Sequence, residues 1–463
     1  MLPQSGARPL KAKCWLIGSG SKFPVAAGRI ARLRGIDVAL FDADNWATSS
    51  IRAARNQLVA INFDLLSSLS AEAKAMLRGS ADNGATIYVR GGLEPDHVYS
   101  LQPFSDQRFE FSINHAGGCR YSSHPLLPAA IAGEQIEARV MTMPQALGLD
   151  ARVRPLLSAL HPSECETASI FAIEIGAGVV IFDLHGDEDK QETDLLEQLA
   201  EPSSRASAIG ALAAVDWAAG RDPATPAPID LVIDDRPTNF DYFSAGRLDA
   251  FLDHLETLYP GIHIDFAWTP RDTRPHRPYL DVLRGYNTGF VWHGFLRHID
   301  HRTIADYDAD LVAGRARLDK IWRDYGVRFQ PVMVFPFEKD TPDADALLRR
   351  SGFIAKAQST AGHPPPAYYI LRDARDLSQL DGPFAVVFRD SVEVLTRERM
   401  VAVATLGSPI VALAHPRNLG LRRFGRRDPV AMSYFDPVVK FAAEKSLRPM
   451  SLEEIAAYVR PER

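Results

Sequence analysis

"IDLVIDDRPTNFDY", residues 229–242, is an apolar run that stops on two adjacent carboxylates, Asp234 and Asp235. A β-branched run of this length reads as a buried strand. Two like charges at its end repel one another unless a cation, a shared proton or solvent compensates them. The stretch follows a Pro/Ala-rich passage, "RDPATPAP", which reads as a linker over 221–228. The chain therefore divides into residues 1–220 and 229–463, two domains being also what its 463 residues suggest.

Downstream, strand and helix alternate. "IHIDFAWTP", "NTGFVWHG", "FQPVMVFPF", "FAVVFRD" and "PIVALAHP" read as further strands. Helical stretches such as "AGRLDAFLDHLETLY" and "IADYDADLVAGRARLDKIWRDYG" separate them. Polar or special residues sit at the strand ends: His293, the Pro336-Phe337-Glu338 run and His415. This arrangement predicts a distorted β/α barrel of fewer than eight strands, with its site on the rim formed by the C-terminal strand ends. Two His and an Asp on that rim would make a three-ligand metal site with a position left for water.

Four motifs in this order resemble the polysaccharide deacetylase family of metal-dependent carbohydrate esterases, over residues 229–460. Val232-Ile233-Asp234-Asp235 is similar to that family's strand ending Thr-Phe-Asp-Asp. His293 opens a His-rich element, Pro336-Phe337 precedes a helix closing on Gly352-Phe353, and Leu413-Ala414-His415 is similar to the late Leu-x-His. The resemblance implies Asp234 as general base, His415 as general acid, and Asp235, His293 and His298 as ligands of one divalent ion. His301 is the alternative to His298. Zn is the first choice of ion, with Co, Ni or Mn as alternatives. Arg236, Pro336, Phe337 and Trp292 would line the substrate, and Trp292 also reads as barrel packing. The chemistry requires such a division of roles, because an amide carbonyl resists neutral water. A cation polarises the carbonyl and lowers the pKa of water, a carboxylate takes the proton, and an imidazole protonates the leaving amine. The chain departs from the family at Arg297, where the second His would fall, and at Arg236, where a Gly would. It also lacks an Arg before Pro336-Phe337, which leaves Arg236 as the residue to orient the base.

The first domain reads as an α/β doubly wound parallel sheet. "KCWLIGSG", "DVALFDAD", "NQLVAINFD" and "ATIYVRGG" alternate with helical segments, and Gly176 and Gly178 flank a hairpin turn in "ASIFAIEIGAGVVIFDLHG". These phrases resemble the class I glutamine amidotransferase-like domain. Cys119, in "HAGGCRYSSHP" with His124 nearby, lacks the preceding strand and following helix of that family's nucleophile elbow. The domain is therefore expected to be non-catalytic, used for docking, substrate gating or homo-oligomerisation. "GSGSKF" supplies Gly18 and Gly20 but Phe23 in place of a third glycine, so dinucleotide binding is not expected. His185, Asp187, Glu188 and Asp189 read as a solvated loop.

A net charge of -6 argues against nucleic acid as a partner, and the basic run at 417–427 reads as a surface loop. No apolar stretch is long enough to span a membrane and no leader is evident, so the expected location is cytoplasmic. Three widely spaced Cys without a CxxC leave His and carboxylates to hold any metal. The expected function is metal-dependent removal of an N-acetyl group from an amino-sugar-containing substrate. The rivals are a non-carbohydrate amidohydrolase on the same barrel and a catalytically inactive binding or assembly protein.

Overall fold

A computed structural model describes the chain except for residues 1–12, 20–22, 35, 49–52, 92, 150–151, 161–165, 186–194, 201, 235–244, 272–275, 297–303, 337–341, 360–384, 416–418, 420–431 and 460–463. The described residues form two compact units that part between Thr225 and Pro226. None of their helices is long and apolar enough to cross a membrane.

The first unit is built on ten strands: β1 (Lys13–Gly18), β2 (Asp37–Asp42), β3 (Gln57–Asn62), β4 (Thr86–Arg90), β5 (His97–Ser100), β6 (Arg108–Tyr121), β7 (Gln135–Leu147), β8 (Arg154–Leu160), β9 (Glu166–Ile175) and β10 (Gly178–Asp183). Their order is β2-β1-β3-β4-β10-β9-β7-β6-β5, with β8 joined to β6 and β9. From β2 to β10 the pairing is parallel, as the strand-helix alternation predicts. Helices Val25–Leu33 and Pro202–Ala218 pack together beside this half, as do Ala43–Thr48 and Ala71–Asp82.

The other half departs from the doubly wound parallel sheet, because β5 to β10 pair antiparallel, among them the hairpin expected at Gly176 and Gly178. A parallel crossover needs a dozen or more residues, usually helical. Only the 122–134 connection between β6 and β7 is that long, and it is made of turns. The β9–β10 hairpin turns at Gly176, whose φ of 55° suits glycine and where a Cβ would lie 2.8 Å from Asp82 Cα.

Cys119 lies within β6, paired to Ile136 and Ala159, so it is on a sheet strand and on no elbow. Burial pushes its thiol up to about 11 and that of Cys14, on β1, up to about 12. Both are therefore expected to resist iodoacetamide at pH 8 in the folded chain and to be alkylated once urea unfolds it. Peptide mapping that found Cys119 modified in the native protein would contradict this placement.

The second unit holds β11 (Pro228–Ile233), β12 (Ile264–Trp268), β13 (Thr288–His293), β14 (Val332–Val334), β15 (Ala355–Ser359), β16 (Ala385–Ser391), β17 (Ile410–Ala414) and β18 (Arg448–Pro449). Strands β11 to β17 pair in parallel in sequence order, and β17 returns to β11, closing a seven-stranded barrel. β18 pairs with β11 outside the ring. Six of the seven barrel strands coincide with the apolar runs of the sequence. β15 was not among them, because Ala-Lys-Ala-Gln-Ser offers no β-branched residue. Its lysine is nonetheless buried, with Lys356 Nζ 2.6 Å from Asp345 Oδ2.

Strand alternation fixes what fills the barrel. Val232, Ala267, Val291, Val332, Val334, Ala355, Ala357, Ala385, Val387 and Val411 form one buried cluster, with a member from every strand of the ring. Two residues beyond these, toward the C-terminal rim, the same inward parity selects Asp234, His293, Pro336 and Arg389. Two residues before them it selects Asp230, Asp265, Gly289 and Gln330. An apolar middle layer thus separates two polar layers. The helix Leu452–Tyr458 closes the lower end, placing Leu452, Ile455 and Ala456 in the same cluster.

Candidate active site

The upper layer gathers several of the residues singled out in the sequence. Asp234 follows β11 and is only 2% exposed, its backbone N–H donating to the carbonyl of Ala414 at 2.9 Å. The β11–β17 register pairs Ile233 with Ala414, so Asp234 and His415 are the next residues of neighbouring strands. Neighbouring strands lie about 5 Å apart, so the two side chains can serve one bound group. His415 is partly exposed. His293 ends β13 and is likewise 2% exposed. Gly294, at φ 74°, turns the chain away from the rim immediately after it and donates to the Val334 carbonyl at 2.9 Å. Pro336 is buried just beyond β14, the next strand of the ring.

Trp292 takes the opposite parity. It stands on the outer face of the barrel, edge-on to Phe353 with ring centroids 5.2 Å apart, beside Gly314 of the helix Ile304–Tyr325. That position serves packing between barrel and helix. Asp235, Arg236, His298, His301 and Phe337 lie outside the described residues, as do Cys165, Asp187, Glu188, Asp189 and nearly all of the 417–427 run.

The sequence reading missed Arg389. It sits on β16 with no solvent exposure, and its NH1 donates to Asp234 Oδ1 at 2.7 Å across the barrel interior. A guanidinium beside a buried carboxylate offers it a counter-charge and fixes its direction. This is the orienting function that the sequence left to Arg236. "FAVVFRD" carried the signal: an apolar strand ending on two charged residues, the same grammar as "LVIDD". Asp390 beside it pairs with Arg399 at 3.1 Å.

The lower layer holds the group of His and acidic side chains that, among the described residues, converges closely enough to hold a metal: Asp230, His263 and Asp265, all buried. His263 Nδ1 is 2.8 Å from Asp230 Oδ1 and 3.9 Å from Asp265 Oδ2. Asp265 also accepts from Gln330 Nε2 and from the backbone N–H of Leu452, while Gln330 Oε1 accepts from that of Glu453. Glycine at 289 leaves room for this arrangement, since a Cβ there would collide with Asp265 and Gln330. Burial and the neighbouring Asp265 push the Asp230 carboxyl well above its ordinary range, against a smaller pull from His263. Against the lowering effect of its own burial, Asp230 and Asp265 push the His263 imidazole up to about 9.

In the first unit a further polar chain lies at the C-terminal ends of β4 and β10. Asp183 accepts from the Tyr88 hydroxyl at 2.7 Å and pairs with His185 Nδ1 at 2.7 Å. Burial works to raise the Asp183 carboxyl, but His185, Arg90 and Tyr88 outweigh it and hold the group below the usual carboxylate range. His185 is thus anchored to the sheet by a hydrogen bond to Asp183.

No family model matches the chain, and none of the curated proteins does. Among solved structures the chain is similar to a family 4 carbohydrate esterase from Streptomyces lividans, in complex with acetate. That likeness has a TM-score of 0.31 at 12% identity, over 51% of this chain and 97% of that one. A polysaccharide deacetylase-type protein from Mycobacterium smegmatis gives 0.34 at 13% identity, over 50% and 89%. A beta-galactosidase from Rahnella sp. R3 gives 0.25 at 10%, over 38% and 28%. Likenesses this weak, spread over different hydrolases, carry no weight for fold or function, and the reading of the site rests on its own residues.

Proposed function

We propose that this chain is a metal-dependent hydrolase that removes an N-acetyl group from an amino-sugar-containing substrate. In this reading residues 229–463 are the hydrolytic barrel, and residues 1–220 are a non-catalytic amidotransferase-like unit joined to it by the 221–228 linker. The observation that carries the proposal is the buried Asp234–Arg389 pair on the rim, with His415 on the neighbouring strand.

A carboxylate oriented by Arg389 is fitted to take a proton from water. An imidazole beside it, partly exposed, is fitted to return a proton to the departing amine. Asp235, His293 and His298, or His301 in place of His298, would hold a divalent cation, Zn first. His293 fits that role as a buried nitrogen donor on the same rim as the base. When bound, the cation would polarise the acyl carbonyl and ease deprotonation of water at neutral pH. Pro336, Phe337 and Arg236 would line the substrate, Pro336 being buried on the rim.

Acetate release from a panel of N-acetylated amino sugars and small amides, with Zn, Co, Ni or Mn supplied, tests the reading. Asp234→Asn is expected to lower turnover by at least about 10²-fold. Turnover left intact by Asp234→Asn would remove the base and the proposal with it. Release from simple amides but from no sugar would move the substrate to the non-carbohydrate class.

A further inference from the structure

We infer that Asp230, His263 and Asp265 hold a second divalent cation at the closed end of the barrel, as a structural clamp separate from the rim. Four residues of strand separate Asp230 from Asp234, about 13 Å at strand rise, with the apolar layer between them. No single ion can serve both ends.

The donor set is one imidazole nitrogen and two carboxylates, the kind that Zn, Mn, Co and Ni accept. Ca would need six or more oxygens. About 3.4 Å separates neighbouring ligands around a tetrahedral ion with bonds of about 2.1 Å. The separations of His263 Nδ1 from the two carboxylates, 2.8 and 3.9 Å, bracket that value.

Two further observations point to a ligand. Asp230 is wholly buried and its Oδ2 has no hydrogen-bond partner, an unmet acceptor inside the cluster. Leaving such an oxygen bare is costly. Charge is the second: among the described residues no Lys or Arg is hydrogen-bonded or ion-paired to Asp230 or Asp265. Both carboxylates therefore face only His263 among the described basic side chains, and a divalent ion that displaced the proton between them would supply the compensating charge. The outer contacts suit this as well. Gln330 and the Leu452 N–H hold the Asp265 carboxylate in place, as second partners orient a metal ligand. Through Leu452 the ion would tie the terminal helix to β11 and β12.

The test uses the full chain, equilibrated with ZnCl2 or MnCl2, freed of unbound ion and counted by elemental analysis. Wild type should hold one equivalent more than either Asp230→Asn or His263→Gln, both close in shape to the native residues. Zn or Mn should also raise the melting temperature of His293→Ala, and no longer do so when Asp230→Asn is added. Equal metal content in wild type and Asp230→Asn, with no Zn- or Mn-dependent melting shift in His293→Ala, would overturn the clamp and leave protons as the compensating charge. Should either lower-layer variant fail to fold, the melting shift of His293→Ala decides alone. The two ends fail separately: a single ion in wild type, lost in Asp230→Asn and retained in His293→Ala, would sustain the clamp and sink the rim reading.

Discussion

Arg389→Met is expected to cost about 3–5 kcal/mol of stability and to abolish hydrolysis, the largest effect of any single substitution on the rim. Arg389 is wholly buried and its partner nearly so. Removing the cation leaves the Asp234 carboxylate, 2% exposed, inside the barrel without its counter-charge, and that uncompensated charge is what the chain would pay for. Adding Asp234→Asn should recover most of the lost stability, because a neutral pair of similar shape carries no such penalty. Activity should not return. The check is a double-mutant cycle from urea unfolding of the four chains, repeated at high salt. A buried pair is screened little, so the deficit should persist there. The exposed Arg397–Glu444 pair is the control, worth at most about 1 kcal/mol. A deficit for Arg389→Met below about 1 kcal/mol would show that the two groups do not form a buried pair.

Much of the barrel was legible because six of its strands are apolar runs bounded by helical spacing. What the sequence hid follows from physics. β15 is read only through its partners: its alanines are small because they face a crowded barrel interior, and Lys356 is tolerated because Asp345 meets it. The antiparallel half of the first unit was obscured because apolar alternation marks a strand without marking its direction. That information lies in connections too short or too irregular to cross over. On the rim, Asp234, His293 and His415 were visible as polar residues at strand ends. Arg389 was equally visible, yet it pairs across 155 residues of sequence, and no local spacing reports a contact through a barrel. The acids in "IDLV" and "IDFAW" were passed over for a similar reason. A single Asp in an apolar strand looks like an interruption until the pairing of β11 with β12 in the closed barrel sets Asp230 beside His263 and close to Asp265.

The same closure makes the last helix, Leu452–Tyr458, decisive for stability. Leu452→Ala and Ile455→Ala should each cost about 2–5 kcal/mol, since both side chains are wholly buried in the barrel's apolar layer. Together they remove a large share of the 5–15 kcal/mol that holds an ordinary domain folded. Their effects will not simply add, because they fill one space. Ser451→Ala, which breaks the capping box with Glu454, should cost only about 1 kcal/mol. Hydrogen exchange gives the sharper readout. Loosening the helix frees the Leu452 and Glu453 amides from Asp265 and Gln330, so protection should fall first in β11 and β12. Wild-type protection of those strands in Leu452→Ala/Ile455→Ala would mean that the helix does not close the barrel. If protection falls there while the amides of Asp234 and Gly294 keep theirs, the two ends divide their work, the lower holding the barrel shut and the upper holding its chemistry in place.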